Sequence, residues 1–215
     1  MKKFAVVLAG SGVYDGAEIH EATLTMLAIA RQGAEYQCFA PNIDQHHVIN
    51  HLNGEEMDER RNVLIESARI ARGDIKDLKE FNGKDFDAII FPGGFGVAKN
   101  LSDVAFKGAD AKVIPEVENV IRQMLDLKKP IGALCISPAI IAKVIGEVNV
   151  TIGTDEGTVG VIESFGATHV ETTHGDVVFD EDKLVFTTPC YMLDAKITDI
   201  DDGAVNVVDA MLAYM

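Results

Sequence analysis

The chain has 215 residues, 47% of them hydrophobic and 25% charged, a balance that predicts one α/β domain with a substantial core across residues 1–215. Its 34 acidic side chains outnumber 19 basic ones, and the net charge of −15 argues against nucleic acid or an anionic membrane surface as a partner. Three widely spaced cysteines argue against a disulfide framework, a metal knuckle and a redox dithiol. We therefore expect a cytoplasmic protein with no bound metal.

The N-terminal half begins as a β-α-β unit. Residues 4–8 form an apolar run that predicts a buried strand; a weak signal peptide is the alternative, but the run is short and leads directly into a glycine-rich turn. A helix over residues 17–31 and a strand over 35–39 follow, which predicts a parallel sheet. Helical spacing recurs over residues 62–71, and residues 74–85 are polar and predicted to lie on the surface.

The same alternation continues to the C-terminus. Strands are predicted over residues 86–91, 130–134, 148–152, 167–171, 177–179 and 184–187, and helices over residues 115–128, 138–145, 159–165 and 203–215. The last two strands are joined through an acidic turn and form an antiparallel hairpin. The pattern predicts a doubly wound α/β sheet that is mostly parallel.

One cysteine lies on a predicted turn between a strand and a helix. Cys135 follows the apolar strand that ends at Leu134, and Pro138 stands where the first turn of a helix tolerates proline. Such a turn can expose a nucleophile, and nearby helix N–H groups favour the thiolate. A buried structural cysteine is the alternative interpretation.

Two further features belong to the same predicted edge of the sheet. Gly93 and Gly94 follow the third predicted strand, and their backbone N–H groups can face a developing oxyanion. Glu21 lies beside the apolar stripe of the first helix, and a carboxyl group buried there has a raised pKa and can exchange a proton with a thiol. A plain turn is the alternative for the glycines.

Together these features, in this order along the chain, resemble the DJ/PfpI superfamily, which is related to the class I glutamine amidotransferases. The resemblance is closer to its ElbB family and spans nearly the whole chain. The segments that carry it are residues 11–21, 48–52, 92–102, 133–139, 151–155 and 187–193.

The resemblance implies a flavodoxin-like three-layer sandwich that forms a homodimer. It implies Cys135 as nucleophile, Glu21 as its acid/base partner, and an oxyanion site built from backbone N–H groups near Gly93, Gly94 and Ile136. Five more residues are expected to line the cleft: Asp15, His20, Asn100, Asp155 and Cys190.

The implied activity is that of a glutathione-independent glyoxalase. This enzyme converts a small reactive carbonyl, methylglyoxal or glyoxal, to lactate or glycolate through a cysteine hemithioacetal, and it needs no cofactor. Two alternatives stay open. One is an amidotransferase-like hydrolase, and the other is a non-enzymatic protein whose cysteine responds to redox stress.

The hydrolase needs a histidine beside Cys135. Many superfamily members carry one about twenty residues after the cysteine, where this chain has Asp155. A histidine would have to come from elsewhere, and the sequence does not select among His20, His51, His169 and His174.

Overall fold

A computed structural model describes residues 1–215, and its centre is a seven-stranded sheet in the order β3-β2-β1-β4-β5-β9-β8. Every pair of neighbours in this sheet is parallel except β8 and β9. The strands of the structure are β1 (Lys3–Val7), β2 (Glu35–Ala40), β3 (Ile75–Asp77), β4 (Ala88–Phe91), β5 (Ile131–Leu134), β6 (Asn149–Val150), β7 (Thr168–His169), β8 (Val178–Asp180) and β9 (Val185–Thr188). Strands β6 and β7 pair separately as a small parallel sheet.

Eight α-helices flank the large sheet. They are α1 (Ile19–Arg31), α2 (Val63–Ile70), α3 (Phe95–Lys99), α4 (Val104–Lys107), α5 (Pro115–Asp126), α6 (Pro138–Ile145), α7 (Glu156–Ser164) and α8 (Ile197–Leu212). Short 3-10 turns occur at Leu78–Glu80, Gly83–Asp85, Gly108–Asp110 and Cys190–Met192. No helix has both the length and the apolar character that a membrane crossing requires.

The two faces of the sheet bury two separate cores. Helices α1, α2 and α8 cover one face, and α5, α6 and α7 cover the other. The strands contribute to both cores because successive side chains point to opposite faces, as Phe4 and Ala5 of β1 do. This arrangement confirms the predicted three-layer, flavodoxin-like architecture with its mostly parallel sheet and late antiparallel pair.

Several predicted boundaries differ from the structure for local reasons. Helix α8 begins at Ile197 rather than at residue 203, because Gly203 is a packing residue inside the helix: a Cβ there would approach the Cys190 Sγ to 3.1 Å. Helix α1 begins at Ile19 rather than at residue 17, since Glu18 is its N-cap. Residues 75–77 belong to a segment predicted as polar surface, but they form strand β3, which pairs with β2 at the edge of the sheet through three residues.

Candidate active site

The site lies at the carboxyl ends of four adjacent strands. Strands β1, β4, β5 and β9 are consecutive neighbours and all parallel, so the segments that follow them meet at one edge of the sheet. Those segments carry Glu21 on α1, Gly93 after β4, Cys135 after β5 and Tyr191 after β9.

Cys135 occupies a sharp turn between β5 and α6. Its φ of +59° is in the left-handed region, which costs a non-glycine residue on the order of 1–3 kcal/mol and persists only where the surroundings enforce it. Two hydrogen bonds enforce it here: the Cys135 N–H donates to the Thr188 carbonyl at 3.0 Å, and the Ser137 hydroxyl donates to the Pro92 carbonyl at 2.8 Å. The turn therefore presents the sulfur in one direction, with 7% of the residue exposed.

Gly93 is where the Cys135 thiol and the Glu21 carboxyl group meet. A Cβ at this position would lie 2.4 Å from the Cys135 Cβ, 2.6 Å from the Glu21 Oε2 and 2.9 Å from the Cys135 Sγ. These distances are too short for any side chain, so Gly93 is required by space. They also show that the thiol and the carboxyl group lie together around one glycine.

The Glu21 carboxyl group is fully buried and held by two backbone donors. The Gly93 N–H donates to its Oε2 at 2.8 Å, and the Tyr191 N–H donates to its Oε1 at 3.2 Å. One turn earlier, the Glu18 side chain caps α1 by accepting from the Glu21 N–H at 2.7 Å. Hydrogen bonds therefore hold both the backbone and the side chain of Glu21 in place.

Burial and, to a smaller extent, the nearby Glu18 carboxylate together raise the pKa of Glu21 from 4.5 to about 8, against the opposing effect of the two backbone donors. Burial also raises the pKa of the Cys135 thiol, and an ionised Glu21 adds to that rise. A protonated Glu21 removes this second contribution because the negative charge is gone. Both groups therefore keep their protons at neutral pH, and the pair holds a single proton only above the Glu21 pKa of about 8.

Backbone N–H groups also approach the sulfur. Hydrogen bonds from Gly94 and Ile136 lower the pKa of the Cys135 thiol, in opposition to its burial. Gly94 has a φ of +100°, and a Cβ there would lie 2.4 Å from both the Glu18 nitrogen and the Gly16 oxygen. Of the three positions expected from sequence to form the oxyanion site, Gly94 and Ile136 thus present N–H groups to the sulfur, whereas the Gly93 N–H is bonded to Glu21.

Asp15 and Asn100 lie in a different network. The Asp15 Oδ2 accepts from the Ile49 N–H at 2.6 Å, and the Asn100 amide donates to the carbonyl oxygens of Ala9 and Asp15 at 2.9 Å. The Asn100 Oδ1 accepts from the His46 N–H at 2.9 Å. These side chains fasten residues 42–62 to the glycine-rich loop that follows β1, and they make no hydrogen bond to Cys135 or Glu21.

The other three expected cleft residues have separate placements. Asp155 is exposed and caps α7 by accepting from the Thr158 N–H at 2.8 Å. Cys190 is buried with its sulfur toward Gly203 of α8, and it is close enough to Glu21 and Cys135 that they add to the rise in its pKa caused by burial. His20 is exposed, and its Nδ1 lies 2.9 Å from the Tyr191 hydroxyl.

Tyr191 is a site residue that the sequence reasoning did not single out. It bonds Glu21 through its backbone, which no side-chain pattern reveals, although it lies in one of the segments that carried the family resemblance.

No imidazole is hydrogen-bonded to Cys135. Among the candidates, His51 bonds the backbone of Tyr14 and Ile49, and the His169 ring accepts from the Ile152 N–H. The structure also contains no group of three or more His, Cys, Asp or Glu side chains arranged to hold a metal ion.

Comparison with known proteins places the chain among named relatives, although no family model matches it. It is 44% identical to the rat "ES1 protein homolog, mitochondrial" over 98% of this chain and 83% of the relative. It is also 44% identical to the human "glutamine amidotransferase-like class 1 domain-containing protein 3, mitochondrial" over 98% and 82%. These relatives are named as mitochondrial, which contradicts the cytoplasmic location expected from sequence.

Solved structures extend the comparison. An Ehrlichia chaffeensis "isoprenoid biosynthesis protein with amidotransferase-like domain" superposes with a TM-score of 0.94 at 40% identity, covering 100% of this chain and 99% of the other. A glyoxalase III from Candida albicans superposes with a TM-score of 0.63 at 15% identity, covering 99% and 96%, so it shares the fold alone.

Proposed function

This chain belongs to the ES1 family of class I glutamine amidotransferase-like proteins, within the DJ/PfpI superfamily, and on that premise we propose that it is a cofactor-free, glutathione-independent glyoxalase of the ElbB type. The observation that carries the proposal is the contact between Cys135 and Glu21 around Gly93. A thiol and a carboxyl group that share one proton are the two groups that an internal oxidation-reduction of a 2-oxoaldehyde requires.

The reaction would start with the Cys135 sulfur attacking the aldehyde carbon of methylglyoxal. The C–S bond forms from the thiolate as the C=O π bond opens, and the carbonyl oxygen takes the single proton of the pair from Glu21, which gives a hemithioacetal and leaves Glu21 as a carboxylate. The Glu21 carboxylate then removes the hydrogen of the former aldehyde carbon as a proton and returns it to the neighbouring carbon. The hydroxyl proton of the hemithioacetal moves at the same time to the oxygen of that neighbouring carbon, which gives a thioester of lactate. Water hydrolyses the thioester and restores the thiol, so that methylglyoxal and water become lactate.

The backbone would stabilise the charge that develops on oxygen. The N–H groups of Gly94 and Ile136 already face the sulfur, and an alkoxide oxygen formed on the attacked carbon would be two bonds from that sulfur. Restricted exposure of Cys135 favours small substrates, which suits methylglyoxal and glyoxal.

The amidotransferase-like hydrolase receives less support. That chemistry uses a histidine to deprotonate the cysteine and protonate the leaving amine. Here the group beside the cysteine is a carboxyl, and the imidazoles make their hydrogen bonds elsewhere.

The test is lactate formation from methylglyoxal without glutathione or added metal. Wild-type protein should show turnover, and Cys135→Ser should lose nearly all of it. The matched control is Cys38→Ser, because Cys38 lies within β2, buried against the Met26 sulfur, and burial raises its pKa to about 12. Full turnover by Cys135→Ser would refute the assignment of Cys135 as the nucleophile. No turnover by the wild type would refute the proposed glyoxalase activity.

A further inference from the structure

Tyr191 is connected to α1 at two points. Its backbone N–H donates to the Glu21 carboxyl group at 3.2 Å, and its hydroxyl lies 2.9 Å from the Nδ1 of His20. His20 and Glu21 are neighbours in sequence, but His20 is exposed and Glu21 is fully buried. The second connection therefore lies on the solvent side of the first.

The turn that carries Tyr191 needs such a restraint. Cys190, the residue before it, has a φ of +42°, a conformation that costs a non-glycine residue on the order of 1–3 kcal/mol. A strained turn relaxes unless its neighbours hold it. The His20 ring is the side-chain partner of Tyr191 on α1, and the two rings also lie against each other with centroids 5.9 Å apart.

We propose that His20 and Tyr191 form a clip that holds the turn at residues 190–192 against α1, keeps water from the Glu21 carboxyl group and positions that group beside the Cys135 thiol. Both are positioning residues, since neither makes a hydrogen bond to the sulfur. The effect on turnover rests on the proposed function, but the effect on Glu21 does not.

The charges around Glu21 set the direction of the expected change. Glu18 approaches from α1, Cys135 from the turn after β5, and Cys190 from the turn that the clip holds. All three can only be neutral or negative, so any charge that they carry raises the pKa of Glu21 as burial does, and entering water weakens both effects. Opening the clip admits water, which stabilises the carboxylate and lowers the pKa of Glu21 toward its ordinary value.

The experiment follows the Glu21 carboxyl group directly by ¹³C NMR during a pH titration, with the signal identified by its absence in Glu21→Gln. The wild-type midpoint is expected at about 8. Tyr191→Phe and His20→Ala should each lower this midpoint by about 1 pH unit. The double variant should lower it no further, because both substitutions remove the same contact between His20 and Tyr191. Tyr36→Phe is the matched control. Tyr36 is exposed on β2, and three strands separate β2 from β9, the strand that leads into the clip.

Midpoints that stay at the wild-type value in folded Tyr191→Phe and His20→Ala would overturn the proposal, as would additive shifts in the double variant. His20 is exposed, so its variant keeps the test valid if Tyr191→Phe unfolds. If the wild type forms no lactate but the midpoints shift as expected, the glyoxalase proposal fails and the clip stands. If lactate forms and no midpoint shifts, the clip proposal fails and the glyoxalase proposal stands.

Discussion

Replacing Glu21 with glutamine should make the protein less active and, above neutral pH, more stable. The folded protein raises the pKa of Glu21 from 4.5 to about 8. Above the lower value the unfolded chain loses this proton while the folded protein keeps it, so stability falls as pH rises through this window and the loss is complete above about 8. The rise corresponds to roughly 5 kcal/mol in total, and to roughly 3–4 kcal/mol between about pH 5 and about pH 8.

The glutamine variant lacks this titration but adds a constant cost. Both oxygens of Glu21 accept from backbone donors, Gly93 on one side and Tyr191 on the other. The glutamine NH₂ group must face one of those N–H groups, donor to donor, at a cost of about 1–3 kcal/mol. This cost does not depend on pH. Any change with pH in the difference between the unfolding free energies of the two proteins therefore comes from the Glu21 proton.

The assay is urea unfolding of wild type and Glu21→Gln across that pH range, together with methylglyoxal turnover. The variant should gain roughly 3–4 kcal/mol relative to wild type as pH rises, and its turnover should fall by roughly two to four orders of magnitude. Its Cys135 should still react with iodoacetamide because the glutamine amide can donate to the sulfur. A stability difference that does not change with pH would show that Glu21 ionises normally in the folded protein, which would refute the shared proton.

Three further predictions use the same assays. Glu18→Gln should keep turnover and lower the Glu21 midpoint measured by ¹³C NMR, because it removes a nearby negative charge while its amide oxygen can still cap α1; a raised midpoint would contradict this. Gly93→Ala should cost about 1–3 kcal/mol in denaturant unfolding and lower turnover at least about 100-fold, because its Cβ would displace Cys135; normal turnover would show that the contact is unimportant. Asp155→Ala should cost about 1 kcal/mol through the lost cap of α7 and leave turnover unchanged, and lost turnover would give Asp155 a role in the site.

Long periodic segments were predictable from the sequence, and short ones were not. Helix α5 has 12 residues, long enough to show the helical period, and β1 is marked by an uninterrupted apolar run; both are close to their predicted positions. Strand β3 and helices α3 and α4 have only three to five residues, too few to show a period. Their structure depends on the neighbours that they pair with.

The sequence by itself determined the sheet-and-helix alternation, the turn at Cys135 and the place of Glu21 near the apolar stripe of α1. These depend on local rules of spacing and turn chemistry. Only the tertiary structure decided which groups meet: it placed β1, β4, β5 and β9 side by side, brought the Tyr191 backbone to Glu21, and assigned Asp15 and Asn100 to a loop network instead. The physical reason is that strand order and backbone hydrogen bonds between distant segments are set by the packing of the whole chain, which no local pattern records.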